Sequence, residues 1–175
     1  MRRVALAIAL LLAACNNALT GTVTPVPPVH RVPIEAEGAV VLIAEDPVIE
    51  SKDPIHLARA KEARIPQDYR ASMTVALELA GFKVTGTPTD RHDLKARLAL
   101  AVREEGGKVY QTYRCGLTAP DGAEVAQINW AWPQGVYVDE TAVLDFATHN
   151  VATEIATNRP IADYLRAARA AKPGR

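Results

Sequence analysis

The side chains that could carry chemistry in this 175-residue chain fall into two small groups. His92 stands between Asp90 and Asp93, and imidazole and carboxylate are both good ligands for transition metals. The spacing matches no closed zinc site, so a solvated loop is the simpler explanation of this group. Asp145 and His149 lie four residues apart on a predicted helix, where they form either an acid–base pair or a surface pair of small energy.

The sequence motifs of the common catalytic sites are missing from the chain. It contains no Gly-x-Ser-x-Gly nucleophile elbow, no His-Glu-x-x-His, no Cys-x-x-Cys and no phosphate-binding loop. We therefore predict no catalytic residue, no metal ligand and no cofactor, and we favour a non-enzyme over an enzyme without deciding between them.

The first fifteen residues carry the strongest signal in the chain. Two arginines follow Met1, and an apolar run over residues 4–12 and two alanines then lead to Cys15. A run this short cannot cross the hydrocarbon core of a bilayer, which needs about 20 apolar residues. The pattern is typical of a secretory signal peptide, which we predict to cover residues 1–14.

Leu12-Ala13-Ala14-Cys15 resembles the lipobox of bacterial lipoproteins. The resemblance implies that the thiol of Cys15 receives a diacylglyceryl group, that the chain is cut before it, and that the new amine is acylated. Two or three acyl chains, at about 0.8 kcal/mol per buried methylene, anchor a protein stably to its membrane. The other interpretation is an ordinary signal peptide cut near Ala14, which would leave Cys15 as a free thiol.

The residue after the anchor bears on which membrane holds the protein. Asn16 is not the Asp that the lipoprotein resemblance associates with retention at the inner membrane. We therefore predict the periplasmic face of the outer membrane, with the cell surface or the inner membrane as alternatives.

Charge and cysteine content narrow the classes of partner. Processing removes two of the 20 basic residues and none of the 20 acidic ones, which leaves a formal charge of about −2. No basic stripe or block of like charge appears, so we predict no nucleic-acid partner. Once Cys15 is lipidated, Cys115 is the remaining thiol. We predict that it is buried, with an intermolecular disulfide as the alternative.

Prolines predict a tether between the anchor and the body. Residues 15–33 contain four of them, which are Pro25, Pro27, Pro28 and Pro33. Proline fixes an extended backbone, and roughly 19 residues at about 3.1 Å each reach about 60 Å. Residues 34–171 then form a single predicted domain, and residues 172–175 form an exposed tail.

Hydrophobic periodicity predicts the first half of that domain. Residues 39–44 are an apolar, β-branched run that is typical of a strand buried on both faces. A helix over residues 66–80 ends at Gly81 and leads into a strand at residues 82–85. A strand, a crossover helix and a second strand indicate that the two strands are parallel.

Residues 45–66 carry three prolines and predict a long loop with a short helix around residues 55–63. A loop of this length within a compact domain is often functional or mobile. The alternative is an irregular insertion that packs on the sheet.

Three alternating strands are predicted next, at residues 94–102, 109–117 and 124–132, and they form an antiparallel meander with one wet face. A helix with Asp139 as its N-cap ends near Thr157, and a second helix covers residues 161–171. The predicted order is β-α-β-β-β-β-α-α. It indicates an α+β fold with a single curved, mostly antiparallel sheet and with its helices mainly on one face.

Leu77-Glu78-Leu79-Ala80-Gly81-Phe82-Lys83-Val84, followed by Asp93-Leu94, is similar to small envelope lipoproteins with a TolB N-terminal-like or anticodon-binding-domain-like fold. In those proteins the helix ends in Gly-Phe before a strand, and an Ala-Asp pair precedes the next strand. Here Asp90-Arg91-His92-Asp93 replaces the Ala-Asp pair. The resemblance implies the fold class and assigns no functional residue.

Both tryptophans of the chain are predicted on one strand. Trp130 and Trp132 share a strand face with Ile128, and Tyr137 follows them. Exposed Trp and Tyr side chains anchor many protein interfaces, so Trp130, Trp132 and Tyr137 are the candidate binding residues. In the alternative interpretation the rings cover the sheet beneath the helices.

These patterns together predict a membrane-anchored envelope lipoprotein that presents a small non-catalytic domain for protein–protein interaction or envelope assembly. The predicted partners are the membrane, through the lipid on Cys15, and an envelope protein. The alternatives are an envelope hydrolase with His92 and the 45–66 loop near its site, or a carrier of a small ligand.

Overall fold

The described part of the body is built on a single sheet of six strands. The computed structural model describes residues 24–33, 36–106, 108–132 and 142–171. The strands are β1 Val40–Leu42, β2 Val48–Glu50, β3 Lys83–Thr85, β4 Leu94–Glu105, β5 Lys108–Thr118 and β6 Glu124–Ala131. In space their order is β3-β1-β4-β5-β6, and β2 also pairs with β4. Within the described residues the sheet stays open.

Parallel and antiparallel pairings divide the sheet. β1 pairs in parallel with β3 and with the start of β4, and β2 pairs in parallel with the middle of β4. The longer ladders, β4 with β5 and β5 with β6, are antiparallel. The predicted parallel pairing of the first strand with the strand at residues 82–85 is confirmed, and so are the meander and the α+β fold class.

Within the residues that the structure describes, four helices pack alongside the sheet, namely α1 Pro54–Glu62, α2 Ile65–Leu79, α3 Val143–Thr157 and α4 Arg159–Ala170. Asn158 separates the last two, and its side chain accepts the backbone N–H of Ile161 at 3.3 Å. Asp139, the predicted N-cap of α3, lies outside the described residues. In the described part of the chain no helix has the length and apolar character needed to cross a bilayer.

The segment at residues 45–66 contains more regular structure than predicted. β2 pairs Val48, Ile49 and Glu50 with residues 99–101 of β4. Helix α1 follows, with Asp53 as its N-cap, and it confirms the short helix predicted around residues 55–63. The observed order is therefore β-β-α-α-β-β-β-β-α-α, which adds β2 and α1 to the predicted one. A strand of three residues is too short to show an alternating pattern, so its pairing could not be read from the sequence.

The core lies between the helices and one face of the sheet. Alternate residues of β4 are at most 4% exposed, these being Leu94, Ala96, Leu98 and Leu100. Arg97, between two of them, is exposed, which confirms the wet second face of this strand. Cys115 of β5 lies opposite Leu98 and Ile128 and is fully buried, as predicted.

Candidate functional site

Five aromatic rings form a continuous cluster between β5, β6, α2 and α3. We call Tyr69, Tyr113, Trp130, Trp132 and Phe146 the aromatic cluster. The Trp130 and Trp132 rings meet edge to face with their centroids 5.8 Å apart. Phe146 lies 5.8 Å from Trp130 and 5.5 Å from Trp132. Tyr113 joins the cluster to Tyr69 through an edge-to-face contact at 5.3 Å, so these rings hold one another in fixed orientations.

The aromatic cluster runs from the centre of the core to the surface. Tyr69 and Tyr113 are almost fully buried, and Phe146 is 7% exposed. Trp130 and Trp132 pack against the core and are half-buried, so each ring also reaches the surface. Trp130 lies on β6 and Trp132 lies directly after it. Among the described residues β6 pairs only with β5, so it is an edge strand. Tyr137, the third predicted binding residue, lies outside the described residues.

The inner end of the cluster holds groups that stay neutral near neutral pH. The Tyr69 hydroxyl donates to the carbonyl oxygen of Arg114 at 3.3 Å, and the Tyr113 hydroxyl donates to Gln111 Oε1 at 3.1 Å. Burial raises the pKa of Tyr113 to about 12 and the pKa of Cys115 to about 12, and it raises the pKa of Tyr69 as well. A buried, protonated thiol is a poor nucleophile, so this end of the cluster serves packing.

The group around His92 forms a structured loop. Asp90 Oδ2 accepts the hydroxyl proton of Thr85 at 2.5 Å, and Asp93 Oδ2 accepts the backbone N–H of Val40 at 2.9 Å. His92 Nδ1 lies 3.0 Å from the carbonyl oxygen of Asp90. The two carboxylates thus hold the backbone at the start of β1 and the end of β3, and they do not converge with His92 on a common point.

Asp145 and His149 are four residues apart on α3, but their side chains bind different elements. Asp145 Oδ1 accepts the hydroxyl proton of Ser72 on α2 at 2.7 Å. His149 Nδ1 lies 2.7 Å from the carbonyl oxygen of Pro27. The acid–base pair that their spacing allowed is therefore not assembled, and both residues connect parts of the fold.

The last residues of the predicted tether lie on the body. We call residues 27–32 the N-terminal strap. Besides the contact of its first residue with His149, the N–H of His30 donates to Thr153 Oγ1 at 3.1 Å, and the N–H of Val32 donates to the carbonyl oxygen of Ala80 at 2.8 Å. Val29 and Val32 pack against the core. The strap therefore joins α3 to the end of α2.

A second group of polar side chains was not singled out by the sequence. Asp53, His56 and Glu104 place one ligand atom each within 4.8 Å of one another, beside α1 and the outer half of β4. The available signal was the Asp-x-x-His spacing at the start of the short helix that was predicted within the 45–66 loop. Glu104 reaches Asp53 and His56 only because β4 is placed beside α1 in the fold.

Comparison with known proteins gives similarity in backbone arrangement only. No protein-family model matches the chain. None of the curated proteins matches it either.

Several solved structures are similar at low sequence identity. A PelC dodecamer from Paraburkholderia phytofirmans is 14% identical with a TM-score of 0.41, over 76% of this chain and 94% of that one. Lipoprotein GNA1162 from Neisseria meningitidis is 17% identical with a TM-score of 0.40, over 70% of this chain and 99% of that one. A neuraminyllactose-binding hemagglutinin homologue from Helicobacter pylori is 13% identical with a TM-score of 0.39, over 82% and 97% of the two chains. We transfer no residue role from them.

Proposed function

We propose that this protein is a lipid-anchored envelope protein of the periplasmic face of the outer membrane, and that it binds a protein partner through Trp130 and Trp132. The observation that carries the proposal is the position of the two rings. They are fixed by the aromatic cluster on one side and reach the surface of an edge strand on the other. Rigid aromatic side chains lose little conformational entropy on binding, which is why they are frequent interface anchors.

The contacts of the N-terminal strap support the proposal that the surface formed by Trp130 and Trp132 lies close to the membrane. His149 receives the strap at its first residue, one turn of α3 away from Phe146, which packs on both tryptophans. The part of the predicted tether between Cys15 and the strap has about 11 residues, and an extended chain of this length spans about 34 Å. This is little more than half of the reach of the whole predicted tether. The body is then held near the bilayer, with the tryptophan surface at the end where the tether leaves it.

The anchor can be tested with the two cysteines of the chain as a matched pair. Cys15→Ala should move the protein from the membrane fraction to the soluble periplasmic fraction, because the acyl chains can no longer be attached. Cys115→Ala removes a thiol from the core and should leave the protein with the membrane. Membrane retention of Cys15→Ala would contradict lipid anchoring.

The binding surface can be tested by photo-crosslinking in intact cells. Benzoylphenylalanine at position 132 replaces one large aromatic side chain by another and should give a recurrent protein adduct. The same amino acid at position 97, on the exposed face of β4, is the control and should give none. Adducts at both positions, no protein adduct at position 132, or lipid adducts alone at position 132 would contradict the proposed protein contact.

A further inference from the structure

A groove of about 970 Å³ opens between the N-terminal end of α1 and the outer half of β4. Its lining includes Ile49, Ser51 and Val102, together with Asp53, His56 and Glu104. The last three are side chains of the types that bind metal ions. They come from two elements that are far apart in the sequence.

The distances among these three side chains leave a gap of the size of an ion. His56 Nε2 lies 3.9 Å from Asp53 Oδ2 and 3.9 Å from Glu104 Oε2. Direct hydrogen bonds between such groups would measure about 2.7–3.2 Å, so the three atoms face one another without bonding. Metal–ligand bonds of about 2.0–2.2 Å hold two ligands of a tetrahedral ion about 3.3 Å apart. The two distances to His56 Nε2 would therefore shorten by about 0.6 Å on binding, and the Asp53–Glu104 distance, which is within 4.8 Å, by up to about 1.5 Å.

Two of the three ligands are already oriented by the fold. Asp53 Oδ1 accepts the backbone N–H of Ile55 at 2.8 Å as the N-cap of α1, which leaves Oδ2 for the gap. His56 Nδ1 lies 3.3 Å from Ser51 Oγ. When Nδ1 carries the proton and donates it to Ser51, Nε2 directs its lone pair into the gap. Metal-binding histidines are held in this way by a polar neighbour at the other ring nitrogen.

Of the other charged side chains that line the groove, Glu50 and Arg103 bind elsewhere, and Lys52 is exposed. Glu50 forms an ion pair with Arg114 at 2.5 Å. Arg103 lies 3.8 Å from Glu105 and stacks over the ring of Tyr110. Two negative carboxylates and one imidazole, with only 18% of the imidazole side chain exposed, therefore face the gap. Glu104 is 54% exposed and is the ligand that is free to adjust.

We infer that Asp53, His56 and Glu104 bind one divalent transition-metal ion, for which Zn²⁺ is the representative probe. One imidazole and two carboxylates suit ions of this class, and three protein ligands leave a coordination position open to water or to an oxygen donor in the groove. The inference goes beyond partner binding at Trp130 and Trp132, and it does not depend on it.

The test is a titration of the full-length chain with Zn²⁺ by isothermal titration calorimetry, on protein purified in detergent without a polyhistidine tag. We expect one ion per chain. Glu104→Gln removes a ligand charge from an exposed side chain of unchanged size, and the affinity should fall about tenfold or more. Glu105→Gln is the matched control, because it changes the next residue, on the opposite face of β4, and should bind like the wild type.

A second measurement follows thermal stability in place of the heat of binding. Because the ion binds the folded state, Zn²⁺ should raise the midpoint of thermal unfolding of the wild type. The increase should be lost in His56→Ala and kept in His92→Ala, which removes a histidine outside the groove. Three results would each overturn the site, namely no stoichiometric binding by the wild type, equal losses in Glu104→Gln and Glu105→Gln, or a zinc-dependent shift that persists in His56→Ala.

Discussion

His149 Nδ1 lies 2.7 Å from the carbonyl oxygen of Pro27, although 122 positions separate the two residues. The contact places the beginning of the N-terminal strap on helix α3. The strap then continues through Thr153 to the end of α2. The prolines of residues 15–33 predict a simple spacer, but residues 27–32 of that segment pack on the body as part of its structure.

The hydrogen bond between the strap and Thr153 predicts a local effect on exchange. Thr153→Val removes the acceptor of the His30 N–H and keeps the β-branched shape. A hydrogen bond of this kind contributes about 1 kcal/mol, so the His30 amide should exchange about fivefold faster with solvent. Thr157→Val is the control, since the Thr157 hydroxyl bonds only the carbonyl oxygen of Thr153 in its own helix. An unchanged rate at His30 in Thr153→Val would show that the strap is held without this bond.

Gly81 should be intolerant of a side chain, because two costs coincide there. Its φ is +98°, and a Cβ would lie 3.3 Å from a methyl carbon of Val32 in the strap. We expect Gly81→Ala to lower the free energy of unfolding by about 1–2 kcal/mol in urea titrations. Gly86→Ala is the matched control, since its φ is not positive and the added Cβ would meet the flexible end of Arg70 at 2.8 Å and the carbonyl oxygen of Ile43 at 3.8 Å, an ordinary contact distance. The free energy of unfolding of Gly86→Ala should fall by no more than about 0.5 kcal/mol. Equal losses in the two variants would contradict the assigned role of Gly81.

Alkaline pH should destabilise the protein through its buried thiol and phenols. The pKa of Cys115 is raised from 9.0 to about 12 and the pKa of Tyr113 from 10.0 to about 12, with that of Tyr69 raised as well. Above pH 9 the unfolded state releases these protons while the folded state retains them. Stability is therefore complete below about pH 9 and falls as the pH rises toward 12, by about 1.4 kcal/mol per pH unit for each group that ionises in the unfolded state only.

Urea titrations between about pH 8 and pH 11 measure this loss. Cys115→Ala should move the start of the decline from about pH 9 to about pH 10, where the tyrosines of the unfolded chain begin to ionise. Tyr113→Phe should keep the start near pH 9 and reduce the slope above pH 10. A wild-type stability that stays constant up to pH 11 would be incompatible with the burial of these groups.

Local sequence patterns were sufficient to predict much of the fold. The alternation along β4 identified its buried and wet faces, and the apolar spacing with Gly81 located α2 and the turn into β3. Such features depend on residues within a few positions of one another, so they can be read directly from the sequence. The three-residue β2 was missed because its backbone bonds are made to β4, about fifty residues later.

The candidate sites were less accessible from the sequence than the fold was. Trp130 and Trp132 were singled out as a pair, but only the structure shows that Phe146 packs on both rings. His92 and His149 were noticed because carboxylates stand near them in the chain. His56 was not noticed, although Asp53 stands three residues before it, and its second carboxylate, Glu104, approaches it only after the sheet has formed.

The sequence by itself predicts that the protein is exported and lipid-anchored. It was also sufficient to predict the α+β class and the positions of the long helices and strands. Each of these predictions follows from short-range composition and periodicity. The tertiary structure alone decided which polar side chains meet. It joined His149 to the carbonyl oxygen of Pro27 and Asp145 to Ser72, and it brought Glu104 close to His56. Side chains four residues apart on one helix can each find a better partner on another element. The meeting of residues distant in the chain depends on strand pairing and helix packing, which no local pattern specifies.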